Sequence, residues 1–289
     1  MNKTPTLLTL CLATGLSLSA IGQRLYPLEP VSNHYQTLGD LSSMPDPAYV
    51  SMDTIEFPSN GRASGKQFVG LEPAYLEAGD YEILKKLVSP PANSSVQTRA
   101  ELQYLLEWQE KRTPSNRSRA FEIARIGYWP PMAIGGSYGD LTHLFWECRS
   151  IVGETCIAQD YPQTTKVLAG IMRDVRIAEF TLKYHHNRPR PYHLEPKLDP
   201  MGRVANPSFA SGHTLWAYSQ AFFWSELMPN RRREFLDLAF EVGESREIMG
   251  IHYPSDEEAA RILSHKLLEL MMKNPAFIND FDKAKMEWH

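Results

Sequence analysis

Ser211–Met228 reads SGHTLWAYSQAFFWSELM. From Gly212 onward Leu215, Trp216, Tyr218, Phe222, Phe223 and Trp224 make the run apolar nearly all round, the pattern of a helix buried in a bundle. Ser219, Gln220, Ser225 and Glu226 interrupt it, and it is short for a membrane span. Outward from this run, Val167, Leu168, Ile171, Met172, Val175, Ala178 and Leu182 recur at three and four, predicting a long amphipathic helix over 164–183. Further helical runs are expected from about residue 73, stopped by Pro90-Pro91, then over 97–113, near Ala120–Ala124, over 231–243 and over 255–272. No convincing alternating strand pattern occurs. The expected fold is all-α: a single helical-bundle domain over 71–289.

The chain has 289 residues, is 43% hydrophobic and 22% charged, and has a formal net charge of −4. This is globular composition with no bulk affinity for nucleic acid. Any anion site must therefore be local. Residues 1–22 read as a signal peptide: Lys3, then the apolar Leu7–Leu18, then Ala20-Ile21-Gly22 before Gln23. An exported protein, periplasmic or secreted, is expected. Residues 23–70, rich in Pro, Ser, Gly and Asn, read as an irregular segment wrapping the domain. Outside the leader two cysteines are left, and in an exported chain Cys148 and Cys156 favour a disulfide. Gly135–Gly139 (GGSYG) lacks the ending of a nucleotide P-loop and reads as a plain turn, with the rim of a pocket as the alternative.

Three polar stretches stand out. Ser211 and Gly212 precede the buried helix, where free N–H groups and the helix dipole favour an anion, and His213 beside them can pass a proton. In Ser245–Asp256 (SREIMGIHYPSD), Arg246 offers a fork for phosphate-like oxygens. Gly250 and Pro254 place His252 in a turn, and Asp256 is within reach of one imidazole nitrogen, leaving the other to attack. In Lys183–Pro191 (KYHHNRPRP), Lys183 ends the long helix and Arg190 is stiffened by flanking prolines, with Arg188 nearby. The tandem His185-His186 has no partner set for a metal. Taken singly, each stretch has a plainer reading as a helix cap or a solvated helix end.

Taken together, Lys183, Arg190 and Pro191, then Ser211, Gly212 and His213, then Ser245, Arg246, His252 and Asp256, resemble the type 2 phosphatidic acid phosphatase superfamily, which includes vanadium-dependent haloperoxidases. One departure is Ala210, where the family usually has proline. The signal, the length and the helices ahead of the motifs look like the secreted bacterial class A acid phosphatases. The resemblance implies a metal-independent phosphomonoesterase without a cofactor, in which vanadate binds only as a phosphate mimic. It implies His252 as nucleophile, Asp256 as its orienting partner and His213 as acid. It implies Lys183, Arg190, Ser211, Gly212 and Arg246 as the phosphate cradle. Small phosphate monoesters are the expected partners, with transfer to alcohols beside hydrolysis. Alternatives are a vanadium haloperoxidase, an envelope lipid phosphate phosphatase or a non-catalytic anion binder. Apolar helices beyond one core's needs would allow a homo-oligomer.

Overall fold

Helix follows helix in the computed structural model, which describes residues 25–28, 33–58, 65–126, 149–153, 156 and 158–288. In chain order these are α1 (Asn33–Gly39), α2 (Ala78–Leu87), α3 (Val96–Lys111), α4 (Pro114–Ile126), α5 (Arg149–Val152), α6 (Pro162–His186), α7 (Pro191–Leu194), α8 (Gly212–Leu227), α9 (Arg232–Ile248), α10 (Pro254–Met271) and α11 (Pro275–Lys285). Short 3₁₀ turns join some of them, and there is no strand among the described residues.

Local chemistry sets the ends. Ser95 caps α3 by accepting from the Thr98 N–H, and Asn274 caps α11 through the Ala276 N–H. Proline opens α6, α7, α10 and α11, where its missing N–H costs nothing. Asn187 ends α6 in the left-handed region at φ 49°, its N–H donating to Lys183 O. α9 runs to Ile248, past the predicted end at 243, so Ser245 and Arg246 lie in its last turns rather than in a loop.

α8 is the centre. Every residue of it except His213 is buried, and it packs against α6, α9 and α10. α6 packs in turn on α2 and α11. A second apolar cluster joins Leu102 and Leu105 of α3 to Tyr192, Leu198, Ile248, Ile251 and Tyr253. Phe209 and Ala210 belong to the main core, Ile251 and Tyr253 to the second, so the polar stretches meet where the two clusters join.

The segment ahead of residue 71 carries α1 and 3₁₀ turns. It is pinned by Arg99 Nη2 to Asp46 Oδ2 at 2.8 Å and reaches the end of α6, where the Phe57 N–H donates to Asn187 O. The expected Cys148–Cys156 disulfide has one partner, Cys148, outside the described residues. Cys156 is buried, with Sγ turned to Val152 O at 3.5 Å. The signal stretch 1–22 and Gly135–Gly139 also lie outside the described residues.

Candidate active site

His252 sits in the turn between α9 and α10, 3% exposed. Its Nδ1 lies 3.0 Å from Asp256 Oδ2 and its Nε2 lies 2.8 Å from Arg190 Nη1. A guanidinium only donates, so Nε2 must accept. The proton is therefore on Nδ1, donated to Asp256. Burial, then Arg190, holds the imidazole well below its ordinary pKa, against the opposing pull of Asp256.

Asp256 is the third residue of α10, one turn from His252, which is why a four-residue spacing suffices. Oδ2 accepts from the Tyr253 N–H at 3.1 Å and Ser208 Oγ at 2.5 Å, and Oδ1 accepts from Arg188 Nη1 at 2.7 Å. Burial alone would raise this carboxyl. Arg188 and the hydrogen bonds from His252 and Ser208 outweigh it and hold Asp256 below the usual carboxylate range.

The cations come from separate elements. Arg190, at the start of α7, is 1% exposed and also donates to Asn206 O, Asn206 Oδ1 and Ile251 O. These bonds aim its fork across the turn that holds His252. Lys183, also 1% exposed, donates to Pro207 O at 2.9 Å and Ser208 O at 3.0 Å. Burial, then Arg190, pushes its amine down to about 7. Lys183 thereby holds the segment that leads into Ser211. The Phe209–Ala210 peptide in that segment is cis.

Ser211 occupies the N-cap position of α8, but its hydroxyl donates to Thr214 Oγ1 at 3.2 Å rather than capping the helix. Its N–H donates to Asp256 O, joining this loop to α10. Gly212 follows, and His213, half-buried, stands in the first turn of α8. A Cβ on Gly212 would lie 2.1 Å from Glu179 Oε1, so a carboxylate of α6 fills the space beside that glycine.

Arg246 lies in the last turns of α9. It is buried on α9, with Nε and Nη2 donating to Ser245 Oγ and Nη2 also to Ala120 O at 3.0 Å. Burial pushes it down to about 10, with Glu257 opposing. The structure thus joins Lys183, Arg190, Ser211, His252 and Asp256 through direct hydrogen bonds or one shared partner. Arg246 reaches the group through α9.

Three participants went unassigned or underweighted. Ser208 bonds Asp256, and Arg188 carries its other oxygen. Glu101 of α3 accepts from the Ser255 N–H at 3.0 Å and Ser255 Oγ at 2.8 Å. The one sequence signal for Glu101 is that Gln97, Thr98 and Glu101 put polar groups on the face of α3 that also carries Leu102 and Leu105. Among the described residues, no cluster of three or more His, Cys, Asp or Glu could hold a metal ion. Nor is any described helix long and apolar enough to cross a membrane.

Known proteins resemble parts of this chain. Residues 164–276 match the PAP2 superfamily. A non-specific acid phosphatase of Providencia stuartii is 30% identical over 138 residues, 45% of this chain and 55% of that protein. The chain thus spans about half the length of that relative. A non-specific acid phosphatase of Salmonella typhimurium is 29% identical over 194 residues, 60% of this chain and 76% of that protein. A bacterial vanadium-dependent iodoperoxidase superposes with a TM-score of 0.52 at 18% identity, covering 82% of this chain and 63% of that one, which establishes a shared helical fold. From Thr164 to Ala276, spanning α6 to the start of α11, the chain matches the PAP2 superfamily.

Proposed function

We propose that this protein hydrolyses phosphate monoesters through a phosphohistidine on His252. The observation that carries the reading is the orientation of that imidazole. Asp256 accepts a hydrogen bond from the Nδ1–H, so the Nε2 lone pair faces the Arg190 guanidinium. An incoming phosphoryl group takes the place of Arg190 at Nε2, and the guanidinium turns to the equatorial oxygens. Nε2 bonds to phosphorus, the ester P–O bond breaks, and His213 gives its proton to the leaving alkoxide. His213 then takes a proton from water, whose oxygen bonds to phosphorus as the P–N bond breaks, releasing inorganic phosphate. The Asp256–His252 pair stabilises the imidazolium formed in the first step.

Lys183, Arg190 and Arg246, with the N–H groups at Ser211 and Gly212, stabilise charge on the transferring group, and such stabilisation is most of what phosphoryl transfer needs. The reaction as proposed requires no metal or cofactor, and vanadate binds as an inhibitor. An alcohol in place of water gives phosphotransfer. Similarity to proteins named non-specific acid phosphatase supports this reading over halide oxidation. The leader-like first 22 residues support an exported location.

The test is release of inorganic phosphate from p-nitrophenyl phosphate between mildly acidic and neutral pH, beside a His252→Ala control. Wild type should turn over and the control should not, and acid-labile phosphate should be trapped on His252 on rapid quenching. A wild-type protein that releases no phosphate sinks the proposal. Bromide oxidation with added vanadate and peroxide would replace it with the haloperoxidase reading.

A further inference from the structure

Behind Asp256, away from Nε2, lies a second layer. Arg188 is 2% exposed and lies over the Tyr253 ring, 3.8 Å from its centroid. Its Nη1 donates to Asp256 Oδ1 at 2.7 Å and Ser255 Oγ at 2.8 Å, while Nη2 points at Glu101 Oε2 at 3.4 Å. Glu101 has no exposed surface, and both its oxygens are taken: Oε1 by the Ser255 N–H and Gln97 Nε2, Oε2 by Ser255 Oγ. Glu101 and Asp256 thus share one buried guanidinium, and Glu101 grips the residue immediately before Asp256 by both backbone and side chain.

We propose that Glu101 is a positioning residue for the proposed phosphatase reaction, setting how firmly Asp256 holds the His252 Nδ1–H through Arg188 and Ser255. The inference rests on the assignment of His252 and Asp256 above. When Glu101 is ionised it draws Arg188 toward itself and accepts from Ser255 Oγ. Asp256 then keeps more of its negative charge for His252, making the imidazole a better nucleophile. When Glu101 is protonated, its oxygen must donate rather than accept, and Arg188 turns wholly to Asp256. The Asp256–His252 bond weakens and attack slows.

Glu101 is able to switch in a useful range. Burial pushes its carboxyl up to about 7, with Arg188 opposing. The groups facing it are Arg188 from the loop after α6, Asp256 and Tyr253 at the head of α10, and Tyr35 of α1, whose hydroxyl accepts from Gln97 Nε2 at 3.1 Å. Burial raises both tyrosines far above neutrality, leaving Glu101 the group in this layer that titrates near pH 7.

The experiment uses full-length wild type, Glu101→Gln and Ser255→Ala. The His252 Nδ1–H proton resonance is followed by NMR between about pH 5 and 8, and kcat and KM for p-nitrophenyl phosphate are measured across the same range. Wild type should show a downfield shift of that resonance as pH rises through about 7. In Glu101→Gln, which keeps the side-chain size and loses the charge, the shift should shrink to the part that Lys183 contributes as it titrates in the same range. Its kcat should fall about tenfold, as for other partners that orient a catalytic group, with KM within about twofold. Ser255→Ala should give the same changes at smaller amplitude, and it carries the test if Glu101→Gln does not fold. An unchanged titration of the resonance in both variants overturns the proposal, even if kcat falls, because Glu101 then serves the fold alone. A wild type without phosphatase activity would sink the functional reading, while the resonance would still decide the role of Glu101.

Discussion

Arg190 donates from Nη1 to His252 Nε2 across 2.8 Å, placing a permanent cation on the atom that would attack phosphorus. Burial lowers the His252 pKa first, and Arg190 is the next cause. Arg190→Ala should therefore do two separable things. It should cut kcat by about 10²–10³, the usual cost of removing one charge-stabilising donor. It should also raise the His252 pKa, moving the acidic limb of the kcat/KM profile to higher pH. A pH–rate profile of the variant checks both.

Asp256→Asn should lower kcat by about 10³ or more with little change in KM. An amide cannot accept from His252, Ser208 and the Tyr253 N–H on one oxygen and from Arg188 on the other, since one of those atoms becomes an N–H₂ donor. Stability should change in a defined window. A carboxyl whose folded pKa is depressed contributes stability that is full above its unfolded pKa, about 4, and is lost as pH falls below it. Melting temperature recorded from neutral to acid pH should fall in wild type over that window. In the variant this part of the fall should be absent, from a lower starting point.

Lys183 should set part of the alkaline limit. Its amine is pushed down to about 7 by burial and Arg190, so the cation present in the acidic form is lost as pH rises through that value. In the free protein, kcat/KM should decline above about 7, and inhibition by vanadate should weaken over the same range. Lys183→Met should abolish this component of the vanadate profile, which inhibition constants at a series of pH values would reveal.

Gly212→Ala should fail for a reason read from α6. The new Cβ would lie 2.1 Å from Glu179 Oε1, the far end of a side chain held by Arg176 Nη1 at 2.6 Å. The expected penalty is about 1–3 kcal/mol, typical of overpacking in a buried site, with loss of turnover. The double variant Glu179→Ser with Gly212→Ala should recover melting temperature and part of kcat. No recovery would assign the glycine to close approach of the phosphoryl group instead.

The parts that sequence alone determined are those carried by local physics. Apolar periodicity specifies α6 and α8, because a face of side chains at three and four must be buried whatever it packs on. Pro254 opens α10 and places Asp256 one turn after His252, so that pair follows from four residues of chain. The flanking prolines likewise set the direction of Arg190. Tertiary structure decided everything that depends on distant chain meeting across the bundle. Glu101 reaches Ser255 across 154 positions because α3 docks on the head of α10. Arg246 is turned onto Ala120 O because α4 packs on α9. Cys156 is buried with its Sγ 3.5 Å from Val152 O, a placement that no local pattern specifies. Burial also decided the protonation states. Lys183 and Glu101 are ordinary residues in the sequence, and only burial where distant elements meet brings the pKa of each toward neutrality.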